Sequence, residues 1–195
     1  THQILEDIGM MKMLPGMTVI NPCDYNQTRL ATIAIADHNG PVYLRFGRPK
    51  WPIFTKKNEN FVIGKAIKFM EGSDVSIFAT GHMLWQALEA EKILFKMGIS
   101  CEVINIHTIK PLDEETILNS IKKTRCAVSC EEHNIIGGLG ESISRIISEN
   151  SPYPMKIIGV NDSFGESGKP LELLEKYKLD PETIKEGVID VIEKK

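Results

Sequence analysis

The spacing of apolar residues divides the chain into alternating helices and strands. Apolar side chains recur at helical spacing from Ile4 to Leu14, and a strand-like run at 17–20 follows a Pro-Gly pair. Asp24 is predicted to be the N-cap of a second helix, and residues 42–44 form a second short apolar run. The order helix, strand, helix, strand favours a parallel sheet with covering helices, although two strands make only a small sheet.

A second α/β pattern begins near residue 61. Residues 51–60 carry Pro, Lys and Asn without periodicity, so we predict an interdomain linker there. The next two strand-like runs, at 66–69 and 75–79, are joined by a short polar turn that predicts antiparallel pairing. The later strands are separated by helical patterns, which predicts a mostly parallel sheet. The predicted organisation is therefore a first segment at 1–50, the linker, and an α/β domain at 61–195.

Composition and charge are those of a soluble globular protein. The chain is 42% hydrophobic and 25% charged, with a net charge of −3, so no strong field attracts nucleic acid or an anionic membrane. The apolar runs are too short for a membrane span. Four cysteines without a CxxC pair are interpreted as free buried thiols in a reducing cytosol, which predicts a cytoplasmic protein. The chain begins at Thr1 without a signal peptide, so we expect it to start inside a larger protein.

Three polar segments could carry chemistry. Residues 131–133 read EEH at the end of a predicted strand, where a carboxylate pair or a histidine base could act, although a solvated or interfacial polar cluster is favoured. The glycine-rich run at 137–140 opens a helix and could hold an anion, but its spacing is not that of a nucleotide motif and a tight turn is favoured. The loop at 162–168 is interpreted as a capped turn.

Two arginines, Arg45 and Arg48, follow the second strand, and His2 precedes the first helix. A guanidinium group offers a rigid donor fork that suits phosphate or carboxylate, so these residues form a candidate anion site. Ordinary surface positions are the favoured alternative. From the residues alone, the chain is a soluble α/β protein with a candidate anion site, and no activity follows.

Four segments, in the right order, resemble the transketolase family. They are THQ at 1–3 with LPGM at 14–17, VINPCD at 19–24, EEHNIIGGLG at 131–140, and DSFGESG at 162–168. Together they span nearly the whole chain and are far more specific than any one of them alone. The resemblance implies that 1–50 are the C-terminal part of a pyrimidine-binding domain. It also implies that 61–195 are a transketolase C-terminal domain, with a mostly parallel sheet flanked by helices.

The resemblance implies roles for three residues. His2 matches the family histidine that contacts the reacting end of the sugar, and Arg48 matches the arginine that binds the sugar phosphate. The motif reads Gly-Arg-Pro where the family has Ser-Arg-Gln, so Arg45 stays open as the alternative. The intact enzyme would transfer a two-carbon ketol unit between ketose and aldose phosphates in the pentose phosphate pathway. It would use thiamin diphosphate with Mg²⁺ or Ca²⁺ and work as a homodimer.

The family's catalytic glutamate and its metal-diphosphate motif lie in parts that this sequence lacks, and no Gly-Asp-Gly is present. We therefore expect that this chain alone binds neither cofactor nor metal and is inactive without its missing N-terminal half or an N-terminal subunit. Two alternatives stay open. One is another thiamin diphosphate enzyme, such as deoxyxylulose-phosphate synthase or the β subunit of a 2-oxo acid dehydrogenase. The other is a non-catalytic dimerisation or regulatory module.

Overall fold

Two sheets and seven helices follow one another in an α/β order in the computed structural model, which describes residues 4–195. The elements of the first segment are α1 (Asp7–Met13), β1 (Thr18–Ile20), α2 (Tyr25–Ala36) and β2 (Val42–Leu44). The later elements are β3 (Ile67–Met70), β4 (Val75–Ala79), α3 (Met83–Lys96), β5 (Cys101–Asn105), β6 (Thr108–Lys110), α4 (Glu114–Thr124), β7 (Ala127–Asn134), α5 (Leu139–Asn150), β8 (Met155–Val160), α6 (Pro170–Lys176) and α7 (Pro181–Glu193).

The larger sheet has the strand order β3-β5-β4-β7-β8. Every neighbouring pair in it is parallel except β3 with β5, which confirms the predicted mostly parallel sheet. The predicted hairpin between β3 and β4 is wrong, because β5 lies between them. All five residues of β4 are buried, as a central strand requires, whereas β3 alternates between half-buried and exposed positions as an edge strand can.

The smaller sheet has the order β2-β1-β6. β1 and β2 are parallel, in line with the prediction, and β6 adds to β1 in the antiparallel direction, with Val19 opposite Lys110. The sequence pattern did not predict β6, because three residues are too few to show a period. The later segment therefore supplies one strand to the sheet of the first segment.

Two apolar clusters cover the two faces of the larger sheet. Ile77 packs in the cluster that includes residues of α3 and α7, and Phe78 packs in the cluster that includes residues of α4 and α5. Ile8 and Val19 of the first segment belong to the second cluster, so the core is continuous between the segments. All four cysteines are free and buried, as expected. Among residues 4–195, no helix combines the length and apolar character needed to cross a bilayer.

Residues 51–60 contain no helix or strand, yet they are held against the first segment. The Asp24 side chain caps α2 by accepting from the backbone N–H of Gln27 at 2.9 Å, which confirms the predicted N-cap. Its carboxylate also accepts from the backbone N–H groups of Phe54 and Thr55 at 2.9 and 2.8 Å, and from the Thr55 hydroxyl at 2.6 Å. One carboxylate therefore joins the start of α2 to this connecting segment.

Candidate functional site

The two candidate arginines occupy different environments after β2. Arg48 is exposed, whereas the Arg45 side chain is only 12% exposed and is engaged within the protein. Arg45 Nε donates to Asp7 Oδ2 at 2.9 Å, and Nη2 donates to the backbone carbonyl of Glu132 at 2.9 Å. Arg45 Nη1 also lies 3.5 Å from Glu132 Oε2. The third candidate, His2, lies outside the described residues.

Asp7 is the shared acceptor on the other side of Arg45. Its Oδ2 accepts from the Tyr43 hydroxyl at 2.8 Å as well as from the guanidinium group. Burial, aided by the neighbouring Asp7 carboxylate, raises the pKa of Tyr43 to about 12, so the phenol stays protonated and remains a donor. The Asp7 contacts therefore tie α1 to the end of β2.

Glu132 has a second basic neighbour, His82, which the sequence analysis did not single out. Glu132 Oε2 lies 3.0 Å from His82 Nε2, and the His82 ring stacks on Trp51 with centroids 4.2 Å apart. Burial acts to raise the pKa of Glu132, but the contacts with His82 and Arg45 outweigh it and the pKa is lowered. Glu132 is therefore a carboxylate in contact with both groups. No local pattern marks His82, because its partners are distant in sequence.

Glu131 and the glycine-rich run together form a buried helix cap. Glu131 is fully buried, and its two carboxyl oxygens accept from the backbone N–H groups of Leu139 at 2.6 Å and Gly140 at 2.9 Å. Burial raises its pKa to about 7, although the two hydrogen bonds oppose that change. The glycine-rich turn does hold an acidic group at the start of α5, but this group is the protein's own side chain.

His133 holds α1 against the sheet. Its Nδ1 lies 2.6 Å from the carbonyl oxygen of Asn134, and its Nε2 accepts from the backbone N–H of Gly9 at 3.2 Å. Burial lowers the pKa of His133, which favours the neutral ring that this pair of contacts needs. Both ring nitrogens are therefore occupied, and the interfacial interpretation of residues 131–133 describes their contacts.

Lys12 adds a further connection at the same interface. Its Nζ donates to the carbonyl oxygens of Gly137 and Gly138 at 2.7 and 2.6 Å, and to the Ser142 hydroxyl at 2.5 Å. A surface cavity of about 570 Å³ lies beside this contact, and neither Arg45 nor Arg48 lines it. The loop at 162–168 is exposed at every position, and Lys176 of α6 donates to Glu166 in it at 2.6 Å.

The chain matches the models of two protein domains. Residues 64–184 match the model of the transketolase C-terminal domain, and residues 1–52 match that of the transketolase pyrimidine-binding domain. The chain belongs to the transketolase family.

Several relatives align with almost the whole chain. It is 43% identical over 195 residues to a 6-deoxy-6-sulfo-D-fructose transketolase subunit of Clostridium sp. (strain MSTE9). It is 41% identical over 198 residues to a putative transketolase C-terminal section of Methanocaldococcus jannaschii. Each alignment covers 100% of this chain and 61% of the relative. A solved structure described as a split gene transketolase, inactive beta4 tetramer, matches with a TM-score of 0.95 and 40% identity over 98% of this chain and 63% of that one.

The chain therefore spans about three fifths of the length of these two relatives and of that solved structure.

Proposed function

We propose that this chain is the C-terminal part of a transketolase that moves a two-carbon ketol unit from a ketose phosphate to an aldose phosphate. In this proposal Arg48 binds the terminal phosphate of the sugar. The observation that carries it is the difference between the two arginines, since Arg45 is engaged by Asp7 and Glu132 whereas Arg48 is exposed. A guanidinium group that is free of internal partners can offer two parallel donors to a phosphate.

His2 is the proposed contact to the reacting end of the sugar. A histidine there can share protons with the hydroxyl groups of the substrate. With His2 at one end of the ketose and Arg48 at the other, this chain would position the substrate for reaction.

The bond-breaking chemistry of this enzyme family belongs to thiamin diphosphate, which supplies the carbanion when it is bound. Within residues 4–195, no group of three or more His, Cys, Asp or Glu side chains is arranged to hold a metal ion. We propose that an N-terminal half or subunit supplies the cofactor site, and that the complete enzyme is a cytoplasmic homodimer of the pentose phosphate pathway.

A sulfonated sugar is a second candidate substrate. One relative is named a 6-deoxy-6-sulfo-D-fructose transketolase subunit, and it is 43% identical to this chain. A sulfonate, like a phosphate, presents several anionic oxygens to a guanidinium fork. Arg48 would serve the same purpose in either case, so the two candidates differ in the sugar and not in the residue that binds its charged end.

The test uses the chain assembled with its N-terminal portion, thiamin diphosphate and Mg²⁺. Ketol transfer is measured from xylulose 5-phosphate to ribose 5-phosphate, from a sulfonated ketose, and from an unphosphorylated ketose. Arg48→Ala is expected to raise the KM for the phosphorylated donor about 10- to 100-fold, because a hydrogen bond to a charged group contributes roughly 1.5–3 kcal/mol. The unphosphorylated donor should change little.

Arg29→Ala, a change of the same type at an exposed position on α2, is the matched control. An equal loss for phosphorylated and unphosphorylated donors would remove the phosphate role from Arg48. No ketol transfer by the assembled wild-type protein, with any donor, would reject the transketolase proposal and favour one of the alternative functions.

A further inference from the structure

We propose that Glu132 is a positioning residue for the loop that carries Arg48. Glu132 holds one end of this loop through Arg45 and the other end through His82 and Trp51. The inference rests on the proposed phosphate-binding role of Arg48. It gives the C-terminal domain a part in substrate binding, although Arg48 itself belongs to the pyrimidine-binding domain.

The first attachment is at the end of β2. The Arg45 guanidinium group lies between Asp7 Oδ2, 2.9 Å from Nε, and Glu132, whose backbone carbonyl is 2.9 Å from Nη2 and whose Oε2 is 3.5 Å from Nη1. A planar guanidinium with acceptors on two sides has a fixed orientation. The backbone that leads from Arg45 towards Arg48 therefore starts from a fixed point.

The second attachment is at Trp51. Glu132 Oε2 lies 3.0 Å from Nε2 of His82, which is only 5% exposed. The His82 ring stacks on the Trp51 indole with centroids 4.2 Å apart and an interplanar angle of 15°. The same carboxylate that contacts Arg45 therefore also lies against the ring on which the far end of the loop rests.

Within the loop, the backbone at Gly47 also packs against Trp51. A Cβ added to Gly47 would lie 3.2 Å from Trp51 Nε1, so the backbone at Gly47 runs close beside the indole. Arg48 follows directly, and Pro49 restricts the backbone after it. Only three residues lie between Arg45 and Pro49, so little freedom remains at Arg48.

A fixed loop matters because ordering a mobile arginine upon binding reduces the affinity for the substrate. Loss of Glu132 should therefore act mainly on the binding of phosphorylated sugars.

The experiment compares four forms of the assembled enzyme: wild type, Glu132→Ala, Arg48→Ala and the double variant. We expect Glu132→Ala to raise the KM for xylulose 5-phosphate on the order of tenfold, the cost of ordering one long side chain on binding, with a smaller change in kcat and little change for an unphosphorylated donor. In the Arg48→Ala background, Glu132→Ala should have almost no further effect on this KM, because the group that it positions is gone.

Two further variants separate positioning from general damage. Glu132→Gln keeps the size of the side chain and loses its charge, so it should show the same pattern more weakly. Glu89→Ala removes a half-buried glutamate that pairs with Lys92 on α3, away from the loop, and it should leave every KM unchanged. Cleavage by trypsin after Lys50, measured by mass spectrometry, should be faster in Glu132→Ala than in the wild type or in Glu89→Ala.

The results distinguish the phosphate-binding role of Arg48 from the positioning role of Glu132. If Arg48→Ala leaves the KM for the phosphorylated donor unchanged, the phosphate role fails and the positioning role falls with it. If Arg48→Ala raises this KM but Glu132→Ala does not, or if the two effects add in full, Glu132 does not act through Arg48. Equal effects of Glu132→Ala on phosphorylated and unphosphorylated donors would also overturn the inference.

Discussion

Replacing Gly138 with alanine should destabilise the protein through one defined clash. The backbone of Gly138, at φ −82° and ψ −157°, is in a conformation that other residues adopt, so alanine itself brings no backbone strain. The added Cβ would instead lie 2.0 Å from Oε2 of Glu131, 2.5 Å from its Cδ and 2.7 Å from its Oε1. These separations are far below contact distance, so the carboxyl group must move.

The size of the effect follows from what Glu131 would lose. It is fully buried and accepts from the backbone N–H groups of Leu139 and Gly140 at 2.6 and 2.9 Å. Moving it breaks both hydrogen bonds and leaves buried polar groups without partners, at about 1–3 kcal/mol for each. We therefore expect Gly138→Ala to lower the free energy of unfolding by roughly 2–6 kcal/mol.

Urea denaturation followed by circular dichroism measures this change. Gly98→Ala is the matched control, because Gly98 has φ +80° and no atom lies within 4 Å of the added Cβ. Backbone strain alone should lower the free energy of unfolding by about 1–2 kcal/mol there. The reasoning is refuted if Gly138→Ala costs no more than Gly98→Ala, or if it keeps its full cost in a Glu131→Ala background.

Two further predictions concern the connecting segment and a buried histidine. Asp24→Ala should speed proteolysis within residues 51–60, because it removes the carboxylate that accepts from Phe54 and Thr55; mass spectrometry of a limited digest measures this rate. Burial lowers the pKa of His107 to about 4, from 6.5 in an unfolded chain, and only the charge of Asp113 opposes this. The folded state therefore resists protonation, so stability that is present above pH 6.5 should be lost as the pH falls towards 4, by at most about 3 kcal/mol.

A control variant tests each of these two predictions. For the connecting segment, Asp37→Ala alters an exposed aspartate just after α2, and an equal rise in proteolysis there would contradict the role of Asp24. For the histidine, urea denaturation of wild type and His107→Asn is compared from pH 7 to pH 4.5. The variant should lose less stability over that range, and parallel curves would show that His107 does not titrate as proposed.

Helices and long strands could be read from the sequence because their signals are local. Asp24 caps α2 through an amide three residues away, and the strand at Val75–Ala79 stands between clear turn residues. Strand pairing was harder to predict. The polar turn after β3 indicated a hairpin, but a short turn cannot show that β5 will take the place next to β3. A strand as short as β6 has no period to detect.

The candidate site shows the same division between local and distant signals. Two arginines after a strand could be predicted, but their different environments could not, because Arg45 is engaged by residues 38 and 87 positions away. The EEH segment showed only that polar groups end a strand. Its contacts with Gly9 and the Arg45 side chain depend on how the two segments pack together.

The strand β6 restricts where the gene for a protein with this fold can be divided. It lies beyond the connecting segment in sequence, yet it pairs with β1, and Lys110 Nζ donates to the carbonyl oxygens of Lys12 and Leu14. A break within residues 51–60 would place neighbouring strands of one sheet on different polypeptides, and without β6 one edge of β1 would be left unpaired, which favours aggregation. For a family with a split-gene member, the connecting segment is therefore a poor place for the break, and one that leaves β1 and β6 on one chain preserves the sheet.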